Sequence, residues 1–436
     1  MTTAAECAHD EGMRPVPAGY RLTVVPAERV DEFRDVDSIA FAMPPRDPAN
    51  DAAVPFPIPA DRTVGVEDGS GALVAAHGSY AFTLPTPGGS VPCAGLTWVG
   101  VRPDHRRRGL LSAMIGAHLD RSLARGEVVS ALFAMEAGIY GRFGYGSAAD
   151  NVGVTVPRGS ALRDVPGAAD LTVRFATLDA DAHLDLVDRV HVAAGAGRPG
   201  WIARGSDARR RIAVADPPPW REGGEAARLL TVHDTAGEPR GYAILRRKAA
   251  WTDGNPAYTV QVREAVALDA AATHRLWSAL LDLDLTVSVE ARLLPVDDLL
   301  LHLLVEPRRA AAKVDDNIWL RLLDVPAALA GRRYAAPVDA VLDVTDALLP
   351  ANAGRWRLVT GDAGPDGTYP ATVQPAGDAA PDLTLDVREL GAAYLGGRTL
   401  TALAGAGLVT GRDAATLHRA STAFTSPLAP VCTWVF

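Results

Sequence analysis

Cysteine is scarce in this 436-residue chain: there are three, Cys7, Cys93 and Cys432, far apart and with no Cys-x-x-Cys pair. The ten histidines do not cluster either. That usage disfavours both a disulfide framework and a structural zinc site, and no metal is expected. Long apolar runs are missing as well: no stretch approaches the ~18 uncharged apolar residues that a membrane span needs. The N-terminus carries acids where a signal peptide carries basic residues, and no apolar core follows, so the cytoplasm is the expected compartment. Positive charge is in deficit, 43 Lys and Arg against 52 Asp and Glu for a net charge of −9, which excludes nucleic-acid binding through the whole surface. Neither a Gly-x-x-x-x-Gly-Lys-Ser/Thr loop nor a Gly-x-Gly-x-x-Gly fingerprint is present, so nucleoside triphosphates and NAD are not expected ligands.

What is present is an ordinary globular composition, 48% hydrophobic and 22% charged, on a chain too long for one core. Stretches rich in Pro, Gly and Ala around residues 149–170 and 307–315 divide it into three blocks, 1–155, 156–312 and 313–436. Pro217 to Gly224 reads as a loop inside the second. The third opens with a strand-like run, Ile318 to Leu323, continues with another at Val338 to Val344, and turns helical around Leu390 to Leu395.

The most informative stretch runs from Leu96 to Leu111. Leu96-Thr97-Trp98-Val99-Gly100-Val101 is β-branched and aromatic, as a buried strand would be, with Gly100 where a bulge would splay it from a neighbour. Pro103 ends it, and Arg106-Arg107-Arg108-Gly109 forms a basic turn. Leu110, Leu111, Met114, Ile115, Leu119 and Leu123 then recur at helical spacing up to a stop at Gly126. The helix therefore begins at the glycine, where its positive end and free N–H groups offer a seat for a diphosphate. A basic turn of this kind is also simply a solvated charge run, and the strand before it favours the cradle. His105 and His118 are read as surface or satisfied polar residues. Asp31, Glu32, Asp35 and Asp37 either draw cationic substrates or form a solvated face.

The turn resembles the acetyl-CoA motif of the GNAT N-acetyltransferases, Arg/Gln-x-x-Gly-x-Gly/Ala after a splayed strand, except that Leu111 replaces the small last residue. Downstream, Glu136-Ala137-Gly138-Ile139-Tyr140-Gly141-Arg142-Phe143-Gly144-Tyr145-Gly146 is similar to the signature of the Eis (enhanced intracellular survival) branch, and so is the aromatic C-terminus, Phe436. The resemblance covers nearly the whole chain. It implies an α+β protein: an active GNAT domain, a degenerate one, and a sterol-carrier-protein-like C-terminal domain. It also implies acetyl-CoA as co-substrate, an aminoglycoside-like or other polyamine as acceptor, direct transfer, and a homohexamer.

Roles follow from the same resemblance. Val99, Gly100, Val101, Arg106, Arg107, Arg108, Gly109, Leu110, Leu111, Ser112, Met135 and Glu136 would contact the cofactor; Tyr140 would be the general acid and the carboxylate of Phe436 the base. Tyr titrates near 10 and stays protonated at neutral pH, whereas an α-carboxyl near 3.5 is a weak base unless burial or a water assists it. Without the resemblance, Tyr140 reads as a core aromatic and Phe436 as a frayed end. Trp98 either walls the amine pocket or belongs to the core. Thr433 to Phe436 is apolar enough to pack back into the protein as a strand.

A fainter copy of the strand–turn–helix runs from Val266 through His274 to Leu281, with one arginine and no glycine in its turn, so it would not cradle a diphosphate. Two other functions remain open at this level. One is a non-enzymatic lipid or CoA carrier; the other is a protein-lysine acetyltransferase, which needs an open groove where a small-amine enzyme needs a closed pocket.

Overall fold

The computed structural model describes residues 16–43, 46, 47, 51, 54 and 56–436; Cys7 lies outside them. The first third forms β1 (Tyr20–Thr23), α1 (Val30–Ala40), β2 (Thr63–Asp68), β3 (Leu73–Thr86), β4 (Gly89–Val101), α2 (Leu110–Ala124), β5 (Val129–Phe133) and β6 (Gly146–Ser147). The middle third forms β7 (Asp150–Pro157), β8 (Thr172–Thr177), α3 (Ala180–Ala194), α4 (Asp207–Val214), β9 (Arg228–His233), β10 (Pro239–Lys248), a small hairpin of β11 (Trp251–Thr252) and β12 (Asn255–Pro256), β13 (Tyr258–Ala267), α5 (Ala270–Leu281), β14 (Thr286–Pro295), α6 (Leu299–Leu303) and β15 (Lys313–Asp316). The last third holds β16 (Ile318–Leu322), α7 (Val325–Ala330), β17 (Asp339–Thr345), β18 (Gly354–Thr360), β19 (Ala371–Pro375), β20 (Leu383–Asp386), α8 (Val387–Ala393), α9 (Leu400–Gly405), β21 (Val409–Gly411) and α10 (Ala414–Phe424).

Three main sheets result, ordered β1-β2-β3-β4-β5-β16-β6, then β15-β7-β14-β13-β10-β9-β8, then β19-β18-β17-β20-β21. The first two exchange a strand. β16, which the sequence pattern places at the head of the third block, pairs antiparallel with β5 from Ile318↔Phe133 to Leu322↔Val129 and so completes the first sheet. β7 leaves the first block and enters the second sheet between β14 and β15. The crossing chains run side by side, Ser147 with Trp319 on one side and Asp150 with Asp316 on the other, and Asn317 bridges them by donating to Asn151 Oδ1 at 3.1 Å. Loop composition marks where the chain turns polar, but not which sheet a short strand joins.

β16 is buried at Ile318, Leu320, Arg321 and Leu322, as a strand covered on both faces must be. Arg321 reaches both oxygens of Asp346 at 2.8 Å, a fully desolvated pair. Room for it comes from Gly144, which has φ +80°; a Cβ there would strike the Arg321 guanidinium. A Cβ at Gly146 would strike the carbonyl of Arg388 in α8. The glycines around Tyr145 thus let β16 and the third domain approach closely.

α2 has the expected bounds and buried face, Leu110, Met114, Ile115 and Leu119, and the stop is Gly126 at φ +75°. Leu123 faces solvent in its last turn. The strand expected near 338–344 is β17, and the helical run expected near Leu390 is α8.

Candidate active site

β4 and β5 run parallel and pair only at Cys93↔Val129, Ala94↔Ser130 and Gly95↔Ala131; beyond that they part. On its other edge β4 stays paired with β3 as far as Val101. Residues 96–101 therefore have no ladder partner toward β5, and their outward N–H and C=O groups are free to meet a ligand. The ladder with β3 slips at the same point: Trp98 and Val99 together oppose His77, and Trp98 takes φ +52°. This β-bulge was expected at Gly100. Gly100 serves a different purpose, because a Cβ there would lie 3.0 Å from the Cβ of Ala40, where α1 crosses the sheet. Trp98 is half-buried, its ring 5.9 Å from Phe33 and 5.4 Å from Phe56, on the α1 side of β4.

The chain leaves β4 through a short turn at Pro103–His105 and reaches Arg107 at φ +61° and Gly109 at φ +85°. Turns of this shape gather backbone N–H groups into a concavity that suits an anion. Gly109 is the N-cap of α2, and no side chain among the described residues caps it. The first-turn N–H groups of Leu110, Leu111 and Ser112 are left for a ligand. The three arginines divide. The side chains of Arg106 and Arg107 are exposed and make no hydrogen bond among the described residues, whereas Arg108 braces the turn by donating to the Tyr20 hydroxyl at 2.7 Å and the Asp104 carbonyl at 2.9 Å. His105 Nδ1 meets the same Tyr20 hydroxyl at 3.0 Å. Met135 and Glu136 lie exposed in the bend that follows β5.

Tyr140 opens a short helical turn, Tyr140–Phe143, and is half-buried beside Tyr145 at a ring separation of 6.0 Å. Burial first, and the charge of Glu136 second, push its hydroxyl up to about 12. It packs with Leu132, Ile115 and Leu119 on the α2 face of the first sheet. Phe436 lies on the opposite face, where Val129, Ala131 and Phe133 point: its ring is 4.8 Å from Phe82, 5.3 Å from Phe133 and 6.4 Å from Tyr80. Side chains along β5 alternate between the two faces, so Tyr140 and Phe436 lie on opposite faces of the first sheet. The tail is not a strand. Residues 430–433 are buried, Trp434 and Phe436 half-buried and Val435 exposed, and side chains instead of a ladder hold it.

The acids of α1 separate into two kinds. Asp31 and Asp35 pair with Arg46, and Glu32 with Arg29, at the surface. Asp37 is only 9% exposed; its carboxylate makes no hydrogen bond or ion pair among the described residues and is pushed up to about 6 by burial. Its charge acts on Tyr80, whose ring abuts Phe436. Tyr80 and Phe82 carry no sequence motif; their alternation along β3 is the only sign that they share the face on which Phe436 lies. His118 is buried against the Ser130 hydroxyl at 2.8 Å, away from these groups.

The second domain repeats the strand–turn–helix without the cradle. Its helix α5 is capped by Asp269, whose carboxylate accepts from Ala272 N–H at 2.8 Å and from Arg240 at 2.6 Å. An internal carboxylate thus occupies the helix end where the first domain presents free N–H groups.

Comparison with known proteins agrees with this architecture. Residues 22–148 match the family described as Acetyltransferase (GNAT) domain, residues 200–322 match a second family of the same description, and residues 325–433 match Sterol carrier protein domain. An uncharacterized N-acetyltransferase of Streptomyces avermitilis is 42% identical over 85% of this chain and 88% of its own length. N-acetyltransferase Eis of Mycobacterium tuberculosis is 34% identical over 85% of this chain and 88% of its own. The crystal structure of Eis1 from Mycobacterium abscessus superposes with a TM-score of 0.77 at 29% identity, covering 96% of this chain and 100% of that one.

Proposed function

Because the chain belongs to the Eis family of GNAT N-acetyltransferases, we propose that it transfers the acetyl group of acetyl-CoA directly to an amine of an aminoglycoside-like or other polyamine substrate. The observation that carries the cofactor assignment is the uncapped helix end at Gly109, set beside the parted strands β4 and β5. The turn from Arg106 to Gly109 and the first N–H groups of α2 would hold the diphosphate. The free backbone of Val99 to Val101 would hold the pantetheine amides and polarise the thioester carbonyl.

In the reaction the amine nitrogen attacks the carbonyl carbon, a C–N bond forms and the C–S bond breaks. The amine must first lose a proton, which the Phe436 carboxylate would take directly or through a water. The thiolate leaves as a strong base and would take the Tyr140 proton, which the raised pKa keeps in place at neutral pH. Asp37 supplies a buried negative charge without a partner, suited to an ammonium group of a polyamine. Trp98 would wall that pocket through the aromatic group it forms with Phe33 and Phe56. Resemblance to Eis proteins extends the reading to a homohexamer in the cytoplasm, the first part of which light scattering tests directly.

The deciding experiment incubates the protein with acetyl-CoA and a panel of aminoglycosides and linear polyamines, reading free thiol and product mass. Thiol release matched by mass increments of one acetyl group supports the proposal. Acetyl-CoA binding without product from any amine would favour the carrier function.

A further inference from the structure

The second domain lacks the helix-end cradle of the first and holds a buried charged cluster. Glu264 stands on β13 at a β-bulge, where Ile244 faces Glu264 but Leu245 already faces Val262. Its Oε1 accepts from Arg204 at 2.6 Å, and its Oε2 accepts from the Tyr242 hydroxyl at 2.8 Å. Arg204, Tyr242, His191 and Glu264 are all buried. Against the penalty of burial, Arg204 and then His191 and Tyr242 hold the Glu264 carboxyl below the ordinary range. Buried ion pairs are poor sources of stability, since apolar residues of similar volume serve as well, and their best-attested use is to fix one register.

What this cluster grips is the end of the chain. The Thr433 hydroxyl donates to Glu264 Oε1 at 3.3 Å and lies 3.0 Å from His191 Nε2. With the Thr433 hydroxyl donating its proton toward Glu264, His191 Nε2 must carry the ring proton and donate to Thr433 Oγ1. Arg204 also lies over the Trp434 ring at 5.7 Å, and the Trp434 indole donates to the Ile202 carbonyl at 2.8 Å. One residue earlier, Cys432 exchanges two hydrogen bonds with the Asn317 side chain, at 2.8 and 3.0 Å, at the point where the first two sheets trade strands. Three residues beyond Thr433, Phe436 meets Phe82 and Phe133 of the first domain.

We infer that the second, cradle-less acetyltransferase domain is an anchor: its Glu264–Arg204–His191 cluster holds Thr433 and thereby fixes the terminal carboxylate at the first domain's site. Thr433 and Glu264 are positioning residues, touching neither cofactor nor amine. The inference rests on the proposed role of Phe436, and its test separates the two.

The test is release of Phe436 from the folded full-length protein by a carboxypeptidase, followed by mass spectrometry, alongside kcat and KM. Thr433→Val keeps the shape and removes the hydroxyl. Release is expected to rise about tenfold, the factor that corresponds to ~1.4 kcal/mol and to loss of one buried hydrogen bond. We expect kcat to fall by a similar factor with KM for acetyl-CoA unchanged, and Thr433→Ser to restore both. Thr433→Ala provides a second variant should the valine misfold. Unchanged release in both variants overturns the anchor, whatever happens to turnover. Faster release with full turnover upholds the anchor and removes the Phe436 carboxylate from the chemistry.

Discussion

Gly109 and Asp269 stand at the same station of the two acetyltransferase-like domains, the N-cap of the helix after the diverging strand, and they leave it in opposite states. Gly109 presents bare N–H groups, while the Asp269 carboxylate accepts from its own helix and from Arg240. Gly109→Asp should therefore convert the first domain into a likeness of the second. Aspartate tolerates a positive φ better than most residues, so the fold should survive, and its carboxylate would fill and repel the diphosphate site. Calorimetry should find acetyl-CoA binding abolished with the melting transition largely retained. Asp269→Ala should cost about 1 kcal/mol of stability through the lost cap and leave acetyl-CoA binding intact.

Tyr140→Phe removes one hydroxyl and almost no volume. If that hydroxyl protonates the departing thiolate, kcat should drop by about 10²–10⁴ while acetyl-CoA affinity and melting temperature stay near the parent's. The pH dependence gives a second readout. Burial, aided by Glu136, raises the Tyr140 hydroxyl to about 12, so the acid stays loaded through the alkaline range. The pH–rate profile should show no limb assignable to Tyr140 below about pH 11. A limb near pH 10 that vanishes in Tyr140→Phe would mean that the hydroxyl is solvated and its burial does not matter to the reaction.

These tests target features whose legibility in the sequence differed. The helix from Leu110 and the turn at Gly109 were readable because periodicity and a glycine are local signals. The bulge was readable in kind and misplaced in position, since glycine marks close approach as readily as irregular pairing, and at Gly100 it marks the crossing of α1. Asp269 follows an ordinary capping pattern, and only the comparison of the two helices in space shows that its carboxylate occupies the helix end that Gly109 leaves bare. Nothing local marks the exchange of β7 and β16, nor the grip of His191, Arg204 and Glu264 on Thr433, because the partners lie far apart in the chain and each is an unremarkable polar residue alone.

Asp37 is a buried carboxylate without a partner, and its folded-state pKa of about 6 lies above the ordinary value. A raised acid is stable while protonated. Its contribution is intact below about pH 4 and is lost as pH rises through 6, when the carboxylate must ionise in a dry site. Asp37→Asn, neutral at every pH, should match the parent's stability at pH 4 and exceed it at pH 8 by roughly 2–3 kcal/mol, read as a higher melting temperature at pH 8 only. If the charge serves an ammonium, the same variant should raise KM for the polyamine and leave KM for acetyl-CoA alone. Equal stability at both pH values would show that Asp37 is already solvated.

The strongest demand falls on Phe436, the proposed base, whose ring sits 4.8 Å from Phe82 and 5.3 Å from Phe133. A C-terminal tag converts the Phe436 carboxylate into an amide and forces further residues out of an aromatic seat. Deleting Phe436 leaves a carboxylate on Val435, roughly 3.3 Å short and without the ring that docks it. Thr433 and the residues before it stay anchored in both cases, so the fold and the cofactor cradle should be undisturbed. Both proteins should melt near the parent's temperature and bind acetyl-CoA, and both should lose turnover by about a hundredfold or more. Full activity in the tagged protein would move the base elsewhere. Asp37, titrating near neutrality on the same side of the sheet, is then the next carboxylate to test, and a tagged Asp37→Asn protein would decide whether it carries the proton.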